Sequence, residues 1–253
     1  MTKVNACTFY LLLLALWSIN ATSADLPDTI EKIKPSIVAI GKYNRLAFPS
    51  AQLLGTGFVL GNGQLVATNA HVISVPLNKE KKDKLVVFVG HRSKAEVRNV
   101  TVLAIDKARD LALLKMSGQP LPSLSLTERQ VREGEMLAFT GYPIGAALGL
   151  NPVTHRGILS SITPITTPPK STKNLSSKQL KSLKNSYDIY QLDATAYPGN
   201  SGSPVYDPRT GEVVAIINKV LVKTTKEHML SDPSAITYAI PIKYLNKLIK
   251  GRN

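Results

Sequence analysis

A serine lies among glycines late in the chain, in the run Gly199-Asn200-Ser201-Gly202-Ser203-Pro204. Glycines permit a tight turn that exposes a hydroxyl, and the backbone amides of Gly199 and Ser201 must point together at one oxygen for such a turn to stabilise an anion. This arrangement suits a nucleophile that attacks a carbonyl carbon. Because Gly-Asn-Ser-Gly also occurs in ordinary loops, the run is weak evidence without partners elsewhere.

A histidine and an aspartate upstream supply those partners. His71 follows the apolar run 65–68, where its ring could take the serine proton and return it to a leaving amine. Asp110 directly precedes the apolar run 111–114, and a carboxylate buried there needs a partner because an unpaired buried charge is costly. Asp106 is the rival carboxylate, but it lies before the turn, so we prefer Asp110. The three residues are candidates for nucleophile, general base and orienting acid.

Short apolar runs separated by turn signals must position these residues, and such runs are typical of a β-barrel or sandwich. The Pro- and Ser-containing segment 117–132 indicates a crossing between two halves. Each half contains six candidate strands: 36–40, 57–60, 65–68, 85–89, 97–104 and 111–114, then 136–140, 153–162, 189–193, 202–206, 213–217 and 236–240.

The two ends of the chain have other patterns. Residues 1–24 combine Lys3, an apolar run and a small-residue end, which predicts a cleaved signal peptide rather than an anchor, because the run is shorter than the roughly 20 residues of a spanning helix. Cys7, the only cysteine, lies in that segment. We therefore expect an exported protein without disulfides, periplasmic or secreted, from a bacterial source.

Helices are predicted at both ends of the remaining chain. Residues 26–33 have helical spacing at Ile30 and Ile33, with Asp28 as the N-cap. An amphipathic helix is predicted over 241–250, with Pro241 in its first turn.

The net charge of +14 favours acidic partners. Lysines gather in 79–84 and in 170–184, within the long basic segment 163–188, and neither run is interleaved with aromatic side chains that could stack on bases. We interpret the runs as solvated loops, with acidic proteins or anionic membrane surfaces as alternative partners and no specific nucleic-acid binding. The other histidines have no metal-ligand spacing, so no metal site is predicted.

The histidine, aspartate, serine order is that of chymotrypsin-type proteases. The chain resembles the HtrA/Deg-like branch of the trypsin-fold serine proteases. The matching pieces occur in family order over about 30–245: 33–38, 55–60, 68–72, 110–114, 141–145, 156–160, 191–204 and 238–241.

The resemblance implies an all-β fold of two six-stranded antiparallel β-barrels within a protease domain over 25–253. The first barrel would span about 35–117 and the second about 133–240, followed by the helix at 241–250. The resemblance also implies proton shuttling by His71, orientation of its ring by Asp110 and an acyl-enzyme on Ser201. The amides of Gly199 and Ser201 would form the oxyanion hole, with Asn200 between them. No metal or organic cofactor is implied.

By position, Thr195 and the strand Ile216-Ile217-Asn218 would line the pocket for the substrate residue before the cut. No acid lies at the pocket base, so small or medium apolar residues are expected there. Polypeptides are the implied substrates, and trimer assembly through the N-terminal segment is the implied homo-oligomer.

The chain departs from the family pattern in three places. The family usually continues into PDZ domains, whereas this sequence ends at Asn253, so we expect no PDZ control. A glycine is usual at the position of Ser203, and the serine is expected to stiffen the turn or narrow the cleft. The segment 163–188 does not match the loops expected for activation and specificity.

The preferred hypothesis is an exported serine endopeptidase that hydrolyses unfolded or specific extracytoplasmic proteins. The alternative is a latent binding or chaperone-like module of the same fold, in which a collapsed oxyanion loop or the basic segment prevents turnover. The complete set of His71, Asp110 and Ser201 argues against that alternative, because binding alone would not require all three. A third hypothesis, a membrane-surface adhesin that uses the positive charge, could coexist with proteolysis.

Overall fold

The structure is a computed structural model that describes residues 25–78, 80, 82–90, 95–143, 150–165, 186–218 and 236–251. The predicted signal peptide and most of the basic segment, 166–185, lie outside these residues. The described helices are α1 (Leu26–Ile33), α2 (Ala70–Ile73) and α3 (Ile242–Lys250). The described strands are β1 (Ile37–Tyr43), β2 (Ala51–Leu60), β3 (Leu65–Thr68), β4 (Lys84–Val89), β5 (Glu96–Asp106), β6 (Leu111–Met116), β7 (Met136–Gly141), β8 (Val153–Pro164), β9 (Asp188–Asp193), β10 (Pro204–Tyr206), β11 (Val213–Ile217) and β12 (Ile236–Pro241).

The strands close into two antiparallel barrels. The first barrel has the order β1-β2-β3-β6-β5-β4, and the second has the order β10-β11-β12-β9-β8-β7. The prediction of two six-stranded antiparallel barrels is therefore confirmed. In each barrel two pairings join strands that are not neighbours in sequence: β1 with β4 and β3 with β6 in the first barrel, and β7 with β10 and β9 with β12 in the second.

The packing of strand β6 explains why its sequence is an almost unbroken apolar run. Successive side chains of a strand point to opposite faces. Leu111 and Leu113 pack in a cluster that includes Tyr206 of the second barrel, whereas Leu114 and Met116 pack inside the first barrel. Both faces of β6 are buried over Leu111–Leu114, which accounts for the apolar run, and Lys115 is the exposed position of the strand.

The segment between the barrels runs along both of them. Leu121 donates its backbone N–H to Gly63, and Leu124 donates to Val59, both in the first barrel. Thr127 then donates to Val213 of β11. The segment therefore joins the two barrels with backbone hydrogen bonds as well as covalently.

Helix α1 begins earlier than its predicted cap. Asp25, not Asp28, is the N-cap residue, and its Oδ1 accepts from the N–H of Leu26 at 2.7 Å. Asp28 lies in the first turn, where a carboxylate still interacts favourably with the helix dipole. Within the described parts of the chain, no helix has the length and apolar character to cross a membrane.

Candidate active site

His71 lies in α2, the short helix that directly follows β3. Asp110 ends the turn between β5 and β6 with a φ of 54°, in the left-handed region that a non-glycine residue adopts uncommonly. Its carbonyl oxygen accepts from the N–H of Ala70 at 3.1 Å and from Nδ2 of Asn69 at 3.0 Å. The unusual backbone of Asp110 is therefore held directly against the segment that carries His71.

The carboxylate of Asp110 makes two contacts with His71. Its Oδ2 lies 2.6 Å from His71 Nδ1, and its Oδ1 accepts from the His71 backbone N–H at 2.8 Å. When Nδ1 carries the proton in this pair, the Nε2 of a neutral ring is left as a base. The two-point contact fixes the ring orientation as well as its tautomer.

The rival carboxylate is engaged elsewhere. Asp106 accepts from the backbone N–H of Arg109 at 3.0 Å and forms an ion pair with its guanidinium at 2.9 Å. The structure therefore brings Asp110, and not Asp106, to His71. Arg109 in turn lies over the ring of Tyr244 in α3, with its Cζ 5.0 Å from the ring centroid.

Ser201 sits in a tight turn before β10. Gly199 and Gly202 have φ values of 100° and 88°, which L side chains rarely adopt, so both positions require glycine. The N–H of Gly202 donates to Ile217 at 2.9 Å, and the N–H of Ser203 donates to Asn200 at 3.0 Å. Among the residues that the structure describes, the amides of Gly199 and Ser201 have no acceptor.

Thr56 of β2 connects this turn to the first barrel. Its backbone N–H donates to the Ser201 carbonyl at 2.8 Å, and its hydroxyl donates to the Gly199 carbonyl at 2.7 Å. The same hydroxyl accepts from the N–H of Tyr142 at 2.9 Å, and the Thr56 carbonyl accepts from Thr68 at 2.7 Å. This fully buried residue holds the turn across the boundary between the barrels.

Gly55 lies between the histidine segment and the serine turn. A Cβ at this position would lie 2.7 Å from the Val72 side chain and 3.0 Å from the Ser201 carbonyl oxygen. Only a residue without a side chain permits the close approach of these two segments. The hydrogen bonds among the described residues join His71 to Asp110 but not to Ser201.

Polar atoms are buried beneath the turn. Asn200 and Ser203 have no exposed surface, and neither the Asn200 amide nor the Ser203 hydroxyl has a partner in the described part of the chain. A Cβ at Gly141 would collide with Ser203 Oγ, so Ser203 fills the space that Gly141 leaves. Ser203 therefore lies under the turn and does not project into the cleft.

A cavity of about 270 Å³ opens beside the histidine. Its surface is mostly apolar, and the residues that line it are His71, Asp110, Ile165, Ile189, Asn218, Tyr238 and Ala239. Of the four predicted pocket residues, Asn218 lines it. Ile216 and Ile217 have no exposed surface, and the half-buried Thr195 does not line this cavity.

Sequence reasoning missed several of these residues. Tyr238 and Ala239 lie in a stretch that matches the family, and so does Thr56, but nothing in the local pattern gave them a role in the site. Ile165 and Ile189 flank the segment outside the described residues. The sequence contains no local signal for their place in the cavity wall, which depends on the pairing of β8 with β9.

Two tyrosine rings lie beside Arg109, the neighbour of Asp110 in sequence, with the Arg109 Cζ 5.8 Å from the centroid of Tyr187 and 5.0 Å from that of Tyr244. Burial raises the pKa of Tyr187 to about 12, and the negative charges of Asp110 and Asp106 act in the same direction. Tyr187 therefore stays neutral and contacts the edge of the Tyr244 ring at a centroid distance of 5.3 Å. Within the described residues, no group of three potential ligands could hold a metal ion.

The comparisons with known proteins agree with the double-barrel fold. The family model described as a trypsin-like peptidase domain matches residues 55–216, which contain all three candidate catalytic residues. The active form of the Rv3671c protease from M. tuberculosis has a similar fold, with a TM-score of 0.63 and 19% identity over 88% of this chain and 82% of that chain. At that identity the likeness concerns the fold alone.

Curated relatives are similar over most of this chain. Serine protease HTRA1 of Xenopus laevis is 29% identical over 88% of this chain and 42% of that protein. A probable periplasmic serine endoprotease, DegP-like, of Pseudomonas fluorescens is 28% identical over 76% of this chain and 33% of that protein. The chain thus spans less than half the length of these relatives. It belongs to the trypsin-like peptidase domain family and is similar to its HtrA and DegP members.

Proposed function

We propose that the chain is an exported serine endopeptidase that cleaves polypeptides through Ser201, His71 and Asp110. The observation that carries the proposal is the two-point contact between Asp110 and His71 beside a glycine-flanked serine turn. That contact prepares a base, and the turn supplies a hydroxyl with two amides that lack acceptors among the described residues. A purely structural histidine would need none of these features.

The chemistry follows from these atoms. Ser201 Oγ attacks the scissile carbonyl carbon while His71 Nε2 takes its proton, and the amides of Gly199 and Ser201 stabilise the oxyanion. Asp110 stabilises the imidazolium that forms. His71 then gives the proton to the leaving amine, which departs and leaves an acyl-enzyme. Water attacks the ester by the same route in reverse, so the acid product leaves and Ser201 regains its proton.

The substrate preference follows from the cavity beside His71. Ile165, Ile189 and Ala239 offer apolar contacts, and Asn218 and Tyr238 supply polar atoms at its wall. No carboxylate other than Asp110 lines it within the described residues. We therefore infer a preference for small or medium apolar residues before the cut.

Export and assembly are further parts of the proposal. The signal-like segment 1–24 supports export, and a relative from Pseudomonas fluorescens carries the word periplasmic in its name. A periplasmic or secreted site of action follows. The trimer implied by the family resemblance stays a prediction.

A latent form of the enzyme is the second candidate. The unpaired polar atoms of Asn200 and Ser203 favour it, because buried polar groups without partners destabilise the turn by about 1–3 kcal/mol each. The absence of a hydrogen bond between His71 and Ser201 among the described residues points the same way. In this candidate, bound substrate or a partner completes the site.

Casein hydrolysis by the purified chain tests the proposal, with the Ser201→Ala variant as the control. We expect cleavage that the substitution lowers by about 10⁶ in kcat, because the nucleophile is lost while the turn is kept. Equal hydrolysis by both proteins would contradict the assignment of Ser201. Hydrolysis that appears only after an activating peptide or partner is added would support the latent form.

A further inference from the structure

The loop between β1 and β2 projects two large apolar side chains into solvent. Leu46 has a relative accessibility of 81% and Phe48 one of 104%, the two highest values among the exposed large hydrophobic residues described. Most exposed apolar side chains in the barrels keep less than half of their surface accessible. We name residues 45–48 the apolar tip. Neither the fold nor the catalytic site accounts for its exposure.

The apolar tip is held by hydrogen bonds at its base. The N–H of Asn44 donates to Ser50 at 2.8 Å, and the Asn44 carbonyl accepts from Ala47 at 3.1 Å. The Asn44 side chain, nearly buried, also accepts from the N–H of Leu46 at 2.9 Å. Because the backbone is closed around Asn44, Leu46 and Phe48 are presented outward at little further entropic cost on binding.

A second loop is fastened beside the apolar tip. Asn44 Nδ2 donates to Asp83 Oδ1 at 3.0 Å, and Lys42 pairs with Asp83 Oδ2 at 3.2 Å. Asp83 also accepts from the N–H of Asn78 at 3.1 Å, which holds Asn78 against Asp83. The partly exposed Leu77 precedes that loop. One end of the first barrel therefore carries apolar side chains on two adjoining loops.

Positive charge surrounds these apolar side chains. Arg45, Lys82 and Lys84 are exposed and form no ion pair with any residue that the structure describes. Lys84 lies opposite Tyr43 in the β1–β4 ladder, at the base of the apolar tip. Asp83 is already paired with Lys42, which leaves the exposed Glu80 as the other acid described on this loop. The surface thus combines a projecting apolar centre with cations at its edge.

We propose that the apolar tip and these cations bind the surface of an anionic lipid bilayer. Phe48 and Leu46 would enter the interfacial region, where an aromatic and an aliphatic side chain lose contact with water. Arg45, Lys82 and Lys84 would contact the anionic headgroups, and this attraction weakens as salt is added. The proposal is independent of catalysis, since none of these residues belongs to the candidate active site.

Charge favours a bilayer over a second copy of the chain. A symmetric contact between two apolar tips would bring Arg45, Lys82 and Lys84 of both copies together, and like charges in an interface are unfavourable. An anionic surface instead neutralises all of them. Because β2 leads from the tip to Thr56, a bound tip would place the candidate active site within roughly 30 Å of the membrane.

Vesicle co-sedimentation of residues 25–253 tests the proposal, since both closed barrels lie within this range. The Ser201→Ala substitution is present throughout, so that proteolysis plays no part. The vesicles are phosphatidylcholine alone or phosphatidylcholine mixed with phosphatidylglycerol. We expect binding to the mixed vesicles only, about tenfold weaker in the Leu46→Ser/Phe48→Ser variant and in the Lys82→Glu/Lys84→Glu variant.

Control variants carry the same kinds of substitution at positions away from the apolar tip. Met136→Ser/Ile158→Ser removes a partly exposed apolar pair from the second barrel, and Lys32→Glu/Lys34→Glu makes the same change of charge on exposed positions near α1. Both controls should bind mixed vesicles like the parent protein. Absence of binding by the parent, or equal losses in tip variants and controls, would overturn the proposal.

Two further measurements would reveal a different partner for the apolar tip. Sedimentation velocity without lipid would show a smaller species for Leu46→Ser/Phe48→Ser if the tip joined copies of the chain. Casein hydrolysis is measured in proteins that keep Ser201. A KM that is raised by Leu46→Ser/Phe48→Ser, when the same substitutions leave vesicle binding unchanged, would assign the tip to polypeptide recognition. Either result would overturn the bilayer as the partner.

Discussion

Asp110 is held by its backbone and its carboxylate together. Its left-handed conformation places the carbonyl against Ala70 and Asn69, while the carboxylate contacts two nitrogens of His71. Asparagine tolerates the left-handed region, so the Asp110→Asn variant should keep this backbone. Its amide can donate to Nδ1, which favours the tautomer in which Nε2 is protonated and is no longer a base.

We therefore expect Asp110→Asn to lower kcat for a peptide substrate by about 10⁴ at neutral pH. The thermal unfolding midpoint, measured by circular dichroism, should remain close to that of the parent. Asp106→Asn is the matched control and should retain most activity, because Asp106 contacts Arg109 and not His71. Equal losses in both variants would contradict the role of Asp110.

Thr56 provides a second residue-scale prediction. Valine has nearly the same shape but cannot donate to Gly199 or accept from Tyr142, so the serine turn keeps only the backbone hydrogen bond from residue 56 to Ser201. We expect Thr56→Val to lower kcat about ten- to hundredfold with little change in KM. Thr56→Ser keeps the hydroxyl and should recover most of the loss. A serine variant as slow as the valine variant would show that the methyl group, not the hydroxyl, matters.

Strand β8 carries a partly buried histidine that the proposed mechanism does not use. His155 stacks on Phe139 with a centroid distance of 4.8 Å, and its Nε2 is buried without a partner among the described residues. Burial lowers the pKa of His155 below its ordinary value of 6.5. The folded protein therefore favours the neutral ring, whereas the unfolded chain takes up a proton as the pH falls below that value.

The free energy of unfolding should accordingly decrease as the pH falls below 6.5 and toward the folded pKa. His155→Phe removes this contribution. The free energy of unfolding of the variant should therefore rise relative to that of the parent by at most about 1.4 kcal/mol for each pH unit that the pH is lowered. Urea denaturation at several pH values measures the difference. Parallel stability profiles for the two proteins would contradict this account of His155.

The elements also show where local sequence patterns stop being informative. The apolar run 57–60 predicted a strand, but β2 begins six residues earlier, at Ala51. Gln52, Gly55 and Thr56 interrupt the apolar pattern. Gly55 and Thr56 are explained by their contacts with Val72 and Ser201, which are distant in sequence. Such long-range contacts leave no periodic signal in β2 itself.

The cavity wall likewise depends on contacts between residues that are distant in sequence. The sequence order and residue types led to His71, Asp110 and Ser201, because each has its own local signal. The cavity wall instead depends on β12 pairing between β9 and β11, which brings Tyr238 and Ala239 beside Asn218. The buried state of Ile216 and Ile217 likewise follows from that pairing and not from their apolar character.

At the scale of the whole molecule, α3 of the second half packs across the two barrels. Leu245 is fully buried in the cluster that contains Leu111 of β6 and Tyr206 of β10. Leu245→Ala should lower the free energy of unfolding by about 2–5 kcal/mol, because a cavity remains where the side chain was. The midpoint of urea denaturation measures this loss.

A matched change on the exposed face of α3 provides the control. Lys250 pairs with Glu128 at 3.5 Å, and both side chains are largely exposed. Lys250→Ala should therefore change stability by less than about 1 kcal/mol. Similar destabilisation by both substitutions would mean that α3 is not docked through Leu245.

The most direct test of the central claim is covalent labelling with a fluorophosphonate, followed by peptide mapping. Such a reagent reacts with a serine hydroxyl that a neighbouring base activates and an oxyanion hole assists. We expect one adduct, on Ser201, that is lost when His71 is replaced by alanine. An adduct on another serine, or labelling of Ser201 that persists without His71, would contradict it.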